Sequence, residues 1–174
     1  PFSCFDERMS VVDQVAEPLM VHRGLSKDEA LAKAFAVLRA SGLPEHHAKK
    51  LPGVMSGGQL QRAAIARAIA LRPALLVCDE PVASLDVSIQ AQVLELLNEL
   101  KRTTRMAMLF VSHNLNVVRY ICDRVAVMYL GRMVETGDVD EVFHRPLHPY
   151  SKLLTASTPG ADASVIRIYP KGSM

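Results

Sequence analysis

The sequence predicts an α/β fold with a mostly parallel sheet, preceded by a helical region. Two observations carry this prediction. Short apolar segments of strand length alternate with helical patterns from residue 74 to residue 130, and this alternation is typical of parallel strands joined by crossover helices. Before residue 55 the apolar residues recur mainly at helical spacing. Of the 174 residues, 49% are hydrophobic, so the chain can form a packed core.

Composition excludes several other classes of protein. The formal net charge is +2, so no charge excess points to nucleic acid or acidic lipid as a partner. No apolar run approaches the roughly 18 residues that a membrane span needs, and no signal peptide is visible. The three cysteines, Cys4, Cys78 and Cys122, show no metal-ligand spacing. An odd number without such spacing favours a reduced, cytosolic protein.

The N-terminal third is predicted to be helical. Ser10 begins a short helix that Pro18 is expected to break or kink. Ser26 and Glu29 have the spacing of a capping box for a second helix, which Gly42 should end. Residues 42–53 are predicted to form a loop. For the pair His46-His47 in this loop a solvated position is favoured over a metal site, because no third ligand is nearby.

Two buried strands and their flanking helices are predicted next. A helix covers about residues 57–71, and the apolar segment ALLVC (74–78) has the length of a buried strand. The following helix has one apolar face, formed by Ile89, Val93, Leu96, Leu97 and Leu100. MAMLFVS (106–112) is the second buried strand, and a short helix follows over 114–122.

The remaining elements are shorter. Residues 124–130 and 132–137 are predicted to form a strand pair that turns at Gly131. Asp138 should cap another short helix, and HPYSKLLTAS (148–157) is predicted to be helical.

Polar side chains follow both predicted buried strands. Asp79 and Glu80 end the first strand, and His113 follows the second. Ligands of α/β sheets bind beyond the carboxyl ends of the strands. There one carboxylate can hold a cation such as Mg²⁺ while the other orients or deprotonates a water. For Asp79 and Glu80 alone, a solvated turn with a helix-capping acid is an equal alternative. A histidine alone in this position is more often structural, so His113 gains weight only if it shares an edge with the acid pair.

The stretch VMSGGQLQR (54–62) places two glycines in the first turn of a helix. A capping box explains Ser56 and Gln59, but Gly57 and Gly58 would each cost on the order of 1 kcal/mol relative to alanine. An anion site explains all four residues, because residues without Cβ leave the backbone N–H groups of the helix end open to a phosphate.

Taken in order, these motifs resemble the ATP-binding cassette (ABC) family of transporter ATPases. The stretch from VMSGGQLQR through LLVCDEPVASLD to FVSHNL is similar to the family's signature, Walker B strand, D-loop and switch histidine. The resemblance implies a P-loop NTPase-like fold with a helical subdomain, and ATP and Mg²⁺ as cofactors. Met55 stands where the family usually has leucine, a volume-conserving difference of small expected effect.

The resemblance also implies roles for particular residues. Asp79 would help hold Mg²⁺ through water, Glu80 would be the base that polarises the attacking water, and His113 would contact the γ-phosphate. Ser84, Leu85 and Asp86 would form the D-loop between paired subunits. The signature, formed by Ser56, Gly57, Gly58 and Gln59, would face the γ-phosphate of the ATP bound to the opposite subunit.

A finer resemblance is to the ATPase subunits of oligopeptide, dipeptide and nickel importers. It rests on the stretches CDEPVASLDVSIQAQVLELLNEL, VMYLGRMVETG and HRPLHPYSKLL. Some members of that subfamily carry an iron–sulfur cluster in a later cysteine-bearing tail, and we expect none here because no cysteine follows Cys122. The HPY segment (148–150) is fairly diagnostic of the subfamily, but the sequence assigns it no chemical role.

The sequence contains no G-x-x-x-x-G-K-[ST] motif, so the phosphate-cradling loop, its lysine and its Mg²⁺-binding hydroxyl are missing. The chain begins with Pro1 and ends without a clear closing element, and we expect it to be a fragment that lacks the N-terminal Walker A part. The resemblance divides it into a helical subdomain following the Q-loop (1–55), an ATPase core (56–137) and a C-terminal extension (138–174). We expect this chain alone neither to bind ATP tightly nor to hydrolyse it, and its sheet edges to be exposed.

The resemblance implies a peripheral protein on the cytoplasmic face of the cell membrane. Its partners would be a second ATPase subunit, transmembrane permease subunits and, indirectly, a periplasmic or extracellular solute-binding protein, with no nucleic acid. The transported solute, whether peptide, nickel or glutathione, is left open. Two alternatives stay open as well: a truncated, catalytically incompetent binding module, and an ABC ATPase that acts outside transport.

Overall fold

The computed structural model describes residues 4–104 and 106–157. The chain divides into two compact units, Pro1–Val111 and Ser112–Met174. The first contains helices α1 (Val11–Arg23), α2 (Lys27–Ala40), α3 (Glu45–Ala48), α4 (Gly57–Ile69) and α5 (Val87–Thr103), and strands β1 (Leu75–Asp79) and β2 (Ala107–Val111). The second contains α6 (Leu115–Ile121), β3 (Arg124–Tyr129), β4 (Arg132–Asp138), α7 (Val139–His144) and α8 (Pro149–Ala156). No helix in the described ranges is long and apolar enough to cross a bilayer.

Helix α1 begins as predicted but does not end at its proline. The Ser10 side chain accepts a hydrogen bond from the N–H of Asp13 at the start of the helix. The helix then runs through Pro18 to Arg23. A proline inside a helix removes one backbone hydrogen bond and its ring crowds the carbonyl four residues earlier, at a cost of about 3 kcal/mol. Burial of Val11, Val15 and Leu19 contributes about 1.5–3 kcal/mol for each side chain and offsets that cost.

Small side chains bring α1, α2 and α4 close together in the main core. Ala30, Ala34 and Leu38 of α2 are fully buried, as are Leu60 and Ala63 of α4. The predicted capping box of α2 is present, with the N–H of Ser26 donating to Glu29 Oε2 at 3.0 Å. The predicted stop is also present, because Gly42 follows the helix at a φ of +78°. The two long helices were therefore predicted largely correctly, whereas the predicted loop over residues 42–53 contains α3 (Glu45–Ala48) and a short 3₁₀ helix (Pro52–Val54).

Strands β1 and β2 form the predicted parallel pair, in a register that places Asp79 opposite Val111. The prediction that both strands are buried was wrong. One face of the pair is exposed, with Leu75, Val77, Leu109 and Val111 retaining 52%, 58%, 53% and 46% of their accessible surface. Parallel sheets are normally covered on both faces, and the described residues cover only one face of this pair.

Strands β3 and β4 form a separate antiparallel hairpin in the second unit. Leu130 and Gly131 connect them, with φ values of +47° and +77°. Positive φ at both central residues is the requirement of a type I′ turn, whose twist matches that of the flanking strands. The predicted turn at Gly131 is therefore confirmed.

The HPY segment has a structural role in this second unit. The two carboxylate oxygens of Glu135 on β4 accept hydrogen bonds from the N–H groups of Leu147 and His148, each at 2.9 Å. His148 caps α8, since its Nδ1 accepts from the N–H of Tyr150 at 3.1 Å. The Tyr150 ring lies 4.3 Å from that of Tyr129 on β3. The segment thus fastens the start of α8 to the hairpin.

Replacing Glu135 by Gln should weaken this fastening and reduce its pH dependence. Burial raises the pKa of Glu135, but the N–H of Leu147, the hydroxyl of Ser151, and the N–H and charge of His148 together hold that pKa below its ordinary value. A lowered folded-state pKa adds stability that is present above the ordinary carboxyl pKa and is lost as pH falls through the folded-state value. The neutral amide keeps one acceptor oxygen, so Glu135→Gln should lower the free energy of unfolding at pH 7 by roughly 1 kcal/mol.

Thermal unfolding of the chain at pH 7 and at pH 3 measures this effect. The loss of stability between the two pH values should be smaller in Glu135→Gln than in the unsubstituted chain. Glu95→Gln, on the exposed side of α5, is the control and should behave like the unsubstituted chain. Identical pH profiles for Glu135→Gln and the control would contradict the role assigned to Glu135.

Candidate functional site

The N-terminus of α4 is built from the SGGQ stretch and is open to solvent at Ser56. The Ser56 hydroxyl accepts from the N–H of Gln59 at 3.3 Å, and Gln59 Oε1 accepts from the N–H of Ser56 at 3.0 Å. This capping box uses the N–H groups of Ser56 and Gln59, but not those of Gly57 and Gly58, which lie in the first turn of the helix. That turn contains no acidic residue, whereas the first turn of α2 contains Asp28 and Glu29. The positive end of the α4 dipole is therefore not compensated within its first turn, and this favours an anion there.

Gly58 has a second reason to be glycine, which the sequence did not reveal. A Cβ built on Gly58 would lie 2.4 Å from Cγ2 of Ile89 on α5. Real Cβ atoms do not approach another carbon this closely, so a side chain at position 58 would force Ile89 or the helix packing to shift. The interpretation that only an anion explains both glycines is therefore incomplete, because packing also requires Gly58.

The acid pair lies where the sequence placed it, at the carboxyl end of β1. Asp79 is the last residue of the strand and is exposed, and Glu80 follows with partial burial. Glu80 has a φ of +46°, a left-handed conformation that is unfavourable for a residue other than glycine. Its N–H donates to the carbonyl of Val111 at 3.0 Å. This bond extends the pairing of β1 and β2 by one residue and holds Glu80 in the strained conformation.

Asp86, predicted to belong to the D-loop, caps α5. Its Oδ1 accepts from the N–H of Ile89 at 3.0 Å and from the hydroxyl of Ser88 at 2.7 Å. These hydrogen bonds hold the pKa of Asp86 below its ordinary value, so the carboxylate is charged at neutral pH. The residues before it, Ser84 and Leu85, lie in the turn between β1 and α5.

The described structure brings several predicted site residues into one unit. Ser56, Gly57, Gly58, Gln59, Asp79, Glu80 and Asp86 all belong to Pro1–Val111. His113 follows the end of β2 by two residues, is exposed and belongs to the second unit. Its place beside the acid pair stays a prediction, as do the ligand contacts of all these residues.

Sequence reasoning missed the residues that join these segments. Ile89 was assigned only to an apolar helix face, and Gln90 was not singled out. Gln90 Nε2 donates to the carbonyl of Val82 at 2.8 Å, in the turn that follows Glu80. The pattern of a helix cannot show which buried face meets a glycine of another helix. The signal that was present is the glycine pair itself, because a glycine inside a helix often marks close packing.

Comparisons with known proteins identify two matching family models. A model described as "ABC transporter" matches residues 2–83, and one described as "Oligopeptide/dipeptide transporter, C-terminal region" matches residues 134–172. The first range contains the SGGQ stretch and the acid pair, and the second contains the HPY segment.

Curated relatives align with almost the whole chain. The di/tripeptide transport ATP-binding protein DppF of Pseudomonas aeruginosa is 47% identical over 91% of this chain and 49% of its own length. The oligopeptide transport ATP-binding protein OppF of Salmonella typhimurium is 45% identical over 96% of this chain and 50% of its own length. The glutathione import ATP-binding protein GsiA of Pectobacterium atrosepticum is 46% identical over 94% of this chain and 26% of its own length. The chain thus spans about half the length of the first two relatives.

A solved structure has the same fold. It is an ATP-binding cassette captured as a dimer in a post-hydrolysis state bound to ADP and Pi. It aligns with a TM-score of 0.69 and 29% identity over 78% of this chain and 59% of the solved chain. The predicted α/β fold of the P-loop NTPase type is therefore confirmed.

Proposed function

Because the chain belongs to the ABC transporter family, we propose that it forms part of the ATP-hydrolysing subunit of an importer for peptides or related solutes. It would supply the catalytic acids of one ATP site and the signature of another. The chain carries no G-x-x-x-x-G-K-[ST] motif, so hydrolysis is proposed for a complete cassette, meaning this chain preceded by a segment that carries such a loop.

The observation that carries the proposal is the conformation of Glu80. Residues held in sparsely populated backbone regions cost on the order of 1–3 kcal/mol and cluster at functional sites. Glu80 is strained at +46° at the carboxyl end of a parallel pair, the edge where ligands of α/β sheets bind. Positive φ alone does not mark a functional residue, because Leu130 has a φ of +47° in the exposed turn of the β3–β4 hairpin. Glu80 differs from Leu130 because it follows Asp79 at this ligand-binding edge. We therefore assign Glu80 as the base that polarises the attacking water.

The neighbouring residues take roles that fit their chemistry. The exposed carboxylate of Asp79 suits Mg²⁺, which prefers oxygen ligands and keeps several waters, and His113 would donate a hydrogen bond toward the γ-phosphate. ATP with Mg²⁺ would supply the phosphoryl group and neutralise its charge. Glu80 would accept the proton of the water, a role worth about 10²–10⁴-fold in rate.

The signature half of the proposal concerns a second subunit. The uncompensated N-terminus of α4, with Ser56 exposed and Gly57 in its first turn, fits a phosphate group. By the family resemblance this phosphate belongs to ATP held by the other subunit, with Asp86 and the D-loop at the same interface. The solved cassette of the same fold is a dimer, which supports a two-chain site.

Import is favoured over the non-transport alternative by the C-terminal region. Residues 134–172 match the oligopeptide/dipeptide transporter region, and the relatives DppF, OppF and GsiA are named for transport or import. The subunit would lie on the cytoplasmic face of the membrane, docked on permease subunits, with a solute-binding protein as an indirect partner. Residues 1–55, 56–137 and 138–174 would be its helical subdomain, its ATPase core and its C-terminal extension.

Steady-state ATPase measurement tests the proposal at its simplest level. The complete cassette should hydrolyse Mg-ATP. The chain of 174 residues alone should show no turnover above background, because its sequence carries no G-x-x-x-x-G-K-[ST] loop to hold the phosphates of its own ATP. Turnover by the chain alone that Glu80→Gln abolishes would contradict the need for the missing loop. An inactive complete cassette would contradict the proposed activity itself.

A further inference from the structure

The first two turns of α5 contact two parts of the chain: the signature end of α4 and the turn that follows the acid pair. We call these two parts the half-sites, because each would belong to a different ATP site. Cγ2 of Ile89 packs where a Cβ of Gly58 would stand, at 2.4 Å from that position, so it contacts the first turn of α4. The next residue, Gln90, donates through Nε2 to the carbonyl of Val82 at 2.8 Å. Val82 is buried in the turn that follows the acid pair.

A third contact lies one turn further along the same helices. Arg62 on α4 donates through Nη2 to Gln92 Oε1 on α5 at 2.9 Å, and through Nη1 to the carbonyl of Ser41 at 3.1 Å. A Cβ on Gly42 would lie 2.2 Å from that Nη1. Helix α4 is therefore fixed to α5 at two successive turns, by an apolar contact at Gly58 and a polar contact at Arg62.

From these contacts we propose that Ile89 is a positioning residue that couples the two half-sites of one chain. It sets the distance from the signature end of α4 to α5, and the adjacent Gln90 fixes α5 to the turn after Glu80. A shift of the signature when it meets a phosphate would then move the turn that carries the base. The proposal rests on the proposed function for its catalytic consequence, but the packing contact exists independently of it.

The packing part of the proposal predicts a reversal of sign in a double-mutant cycle. Gly58→Ala in the unsubstituted chain should lower the Tm by about 5 °C, because the new methyl group overlaps Ile89 Cγ2. In an Ile89→Ala background the same change should raise the Tm, since the nearest remaining atom, Cβ of residue 89, lies at an ordinary 3.6 Å and the methyl group fills the space that was opened. An equal effect of Gly58→Ala in both backgrounds would overturn the contact.

The coupling part is tested by two variants of Ile89 in the complete cassette. Valine keeps the Cβ branch that contacts Gly58, whereas leucine has the same number of carbons as isoleucine but lacks that branch. Ile89→Leu should lower kcat about tenfold with KM for ATP within twofold, and Ile89→Val should stay within twofold of the unsubstituted cassette in both constants. A residue that only stabilised the fold would affect Tm in both variants without this split between kcat and KM.

The outcomes separate the inference from the proposed function. If the unsubstituted cassette hydrolyses ATP and Ile89→Leu has the same kcat, the coupling role of Ile89 is overturned alone. If the unsubstituted cassette is inactive, the proposed function is overturned, and the unfolding cycle still decides whether Ile89 and Gly58 are in contact.

Discussion

Glu80→Gln in the complete cassette should reduce kcat for ATP hydrolysis by about 10²–10⁴-fold, the range that a positioned general base contributes. Glutamine has nearly the same shape as glutamate, so the hydrogen bond from the backbone N–H of residue 80 to the carbonyl of Val111 should be preserved. It cannot accept a proton from water. The affinity for ATP should therefore change little, because the substitution removes an interaction that is made in the transition state.

Steady-state kinetics together with equilibrium binding of ATP measure the two effects separately. Glu95→Gln is the matched control, since Glu95 is an exposed carboxylate on α5 and its substitution should leave both quantities unchanged. A Glu80→Gln cassette that keeps more than about half of its kcat would remove Glu80 from the role of base. A loss of ATP affinity instead of turnover would reassign Glu80 to binding.

Ser56→Arg should abolish ATP hydrolysis while the same subunit still binds ATP. The arginine side chain would occupy the space in front of the bare first turn of α4, where the phosphate of the other subunit is proposed to lie. Loss of a single preorganised donor to a developing charge typically costs about 10²–10³-fold in rate, and a steric block should cost at least 100-fold. ATP held by the subunit's own loop lies in the other half-site and should remain bound.

Ser26→Arg provides a control with the same capping chemistry. Ser26 forms a capping box with Glu29 at the start of α2, as Ser56 does with Gln59 at the start of α4. Both substitutions lose a serine cap, which costs roughly 1 kcal/mol, and both should lower the Tm similarly. Only Ser56→Arg should abolish hydrolysis. Equal loss of hydrolysis and of ATP binding in Ser56→Arg would count against the two-chain site.

The local elements were predictable from the sequence because their signals are local. Ser26 with Glu29, Ser56 with Gln59, and Gly131 each act within a few residues, and each appears in the structure as predicted. The parallel pairing of β1 and β2 also followed, since an intervening helix leaves few alternatives. The continuation of α1 through Pro18 did not follow, because the packing of α1 against α2 and α4 decides it.

Long-range packing explains the rest of what the sequence did not show. The sequence indicated that Gly58 was unusual but could not separate a phosphate contact from contact with Ile89, which is 31 positions away (89 − 58). It predicted buried strands from apolar composition, whereas burial depends on what covers each face, and one face of β1 and β2 is open. The left-handed conformation of Glu80 has no composition signal at all.

The molecular mass of the complete cassette, measured in solution with saturating Mg-ATP, tests the two-chain site most directly. Glu80→Gln should trap bound ATP, so this variant should have the mass of two chains, with ATP bound to each. Adding Ser56→Arg to the same variant should give the mass of one chain with one ATP still bound, because the signature can no longer meet the phosphate of its partner. A two-chain species that persists with Ser56→Arg, or a single chain that has lost its ATP, would contradict the account.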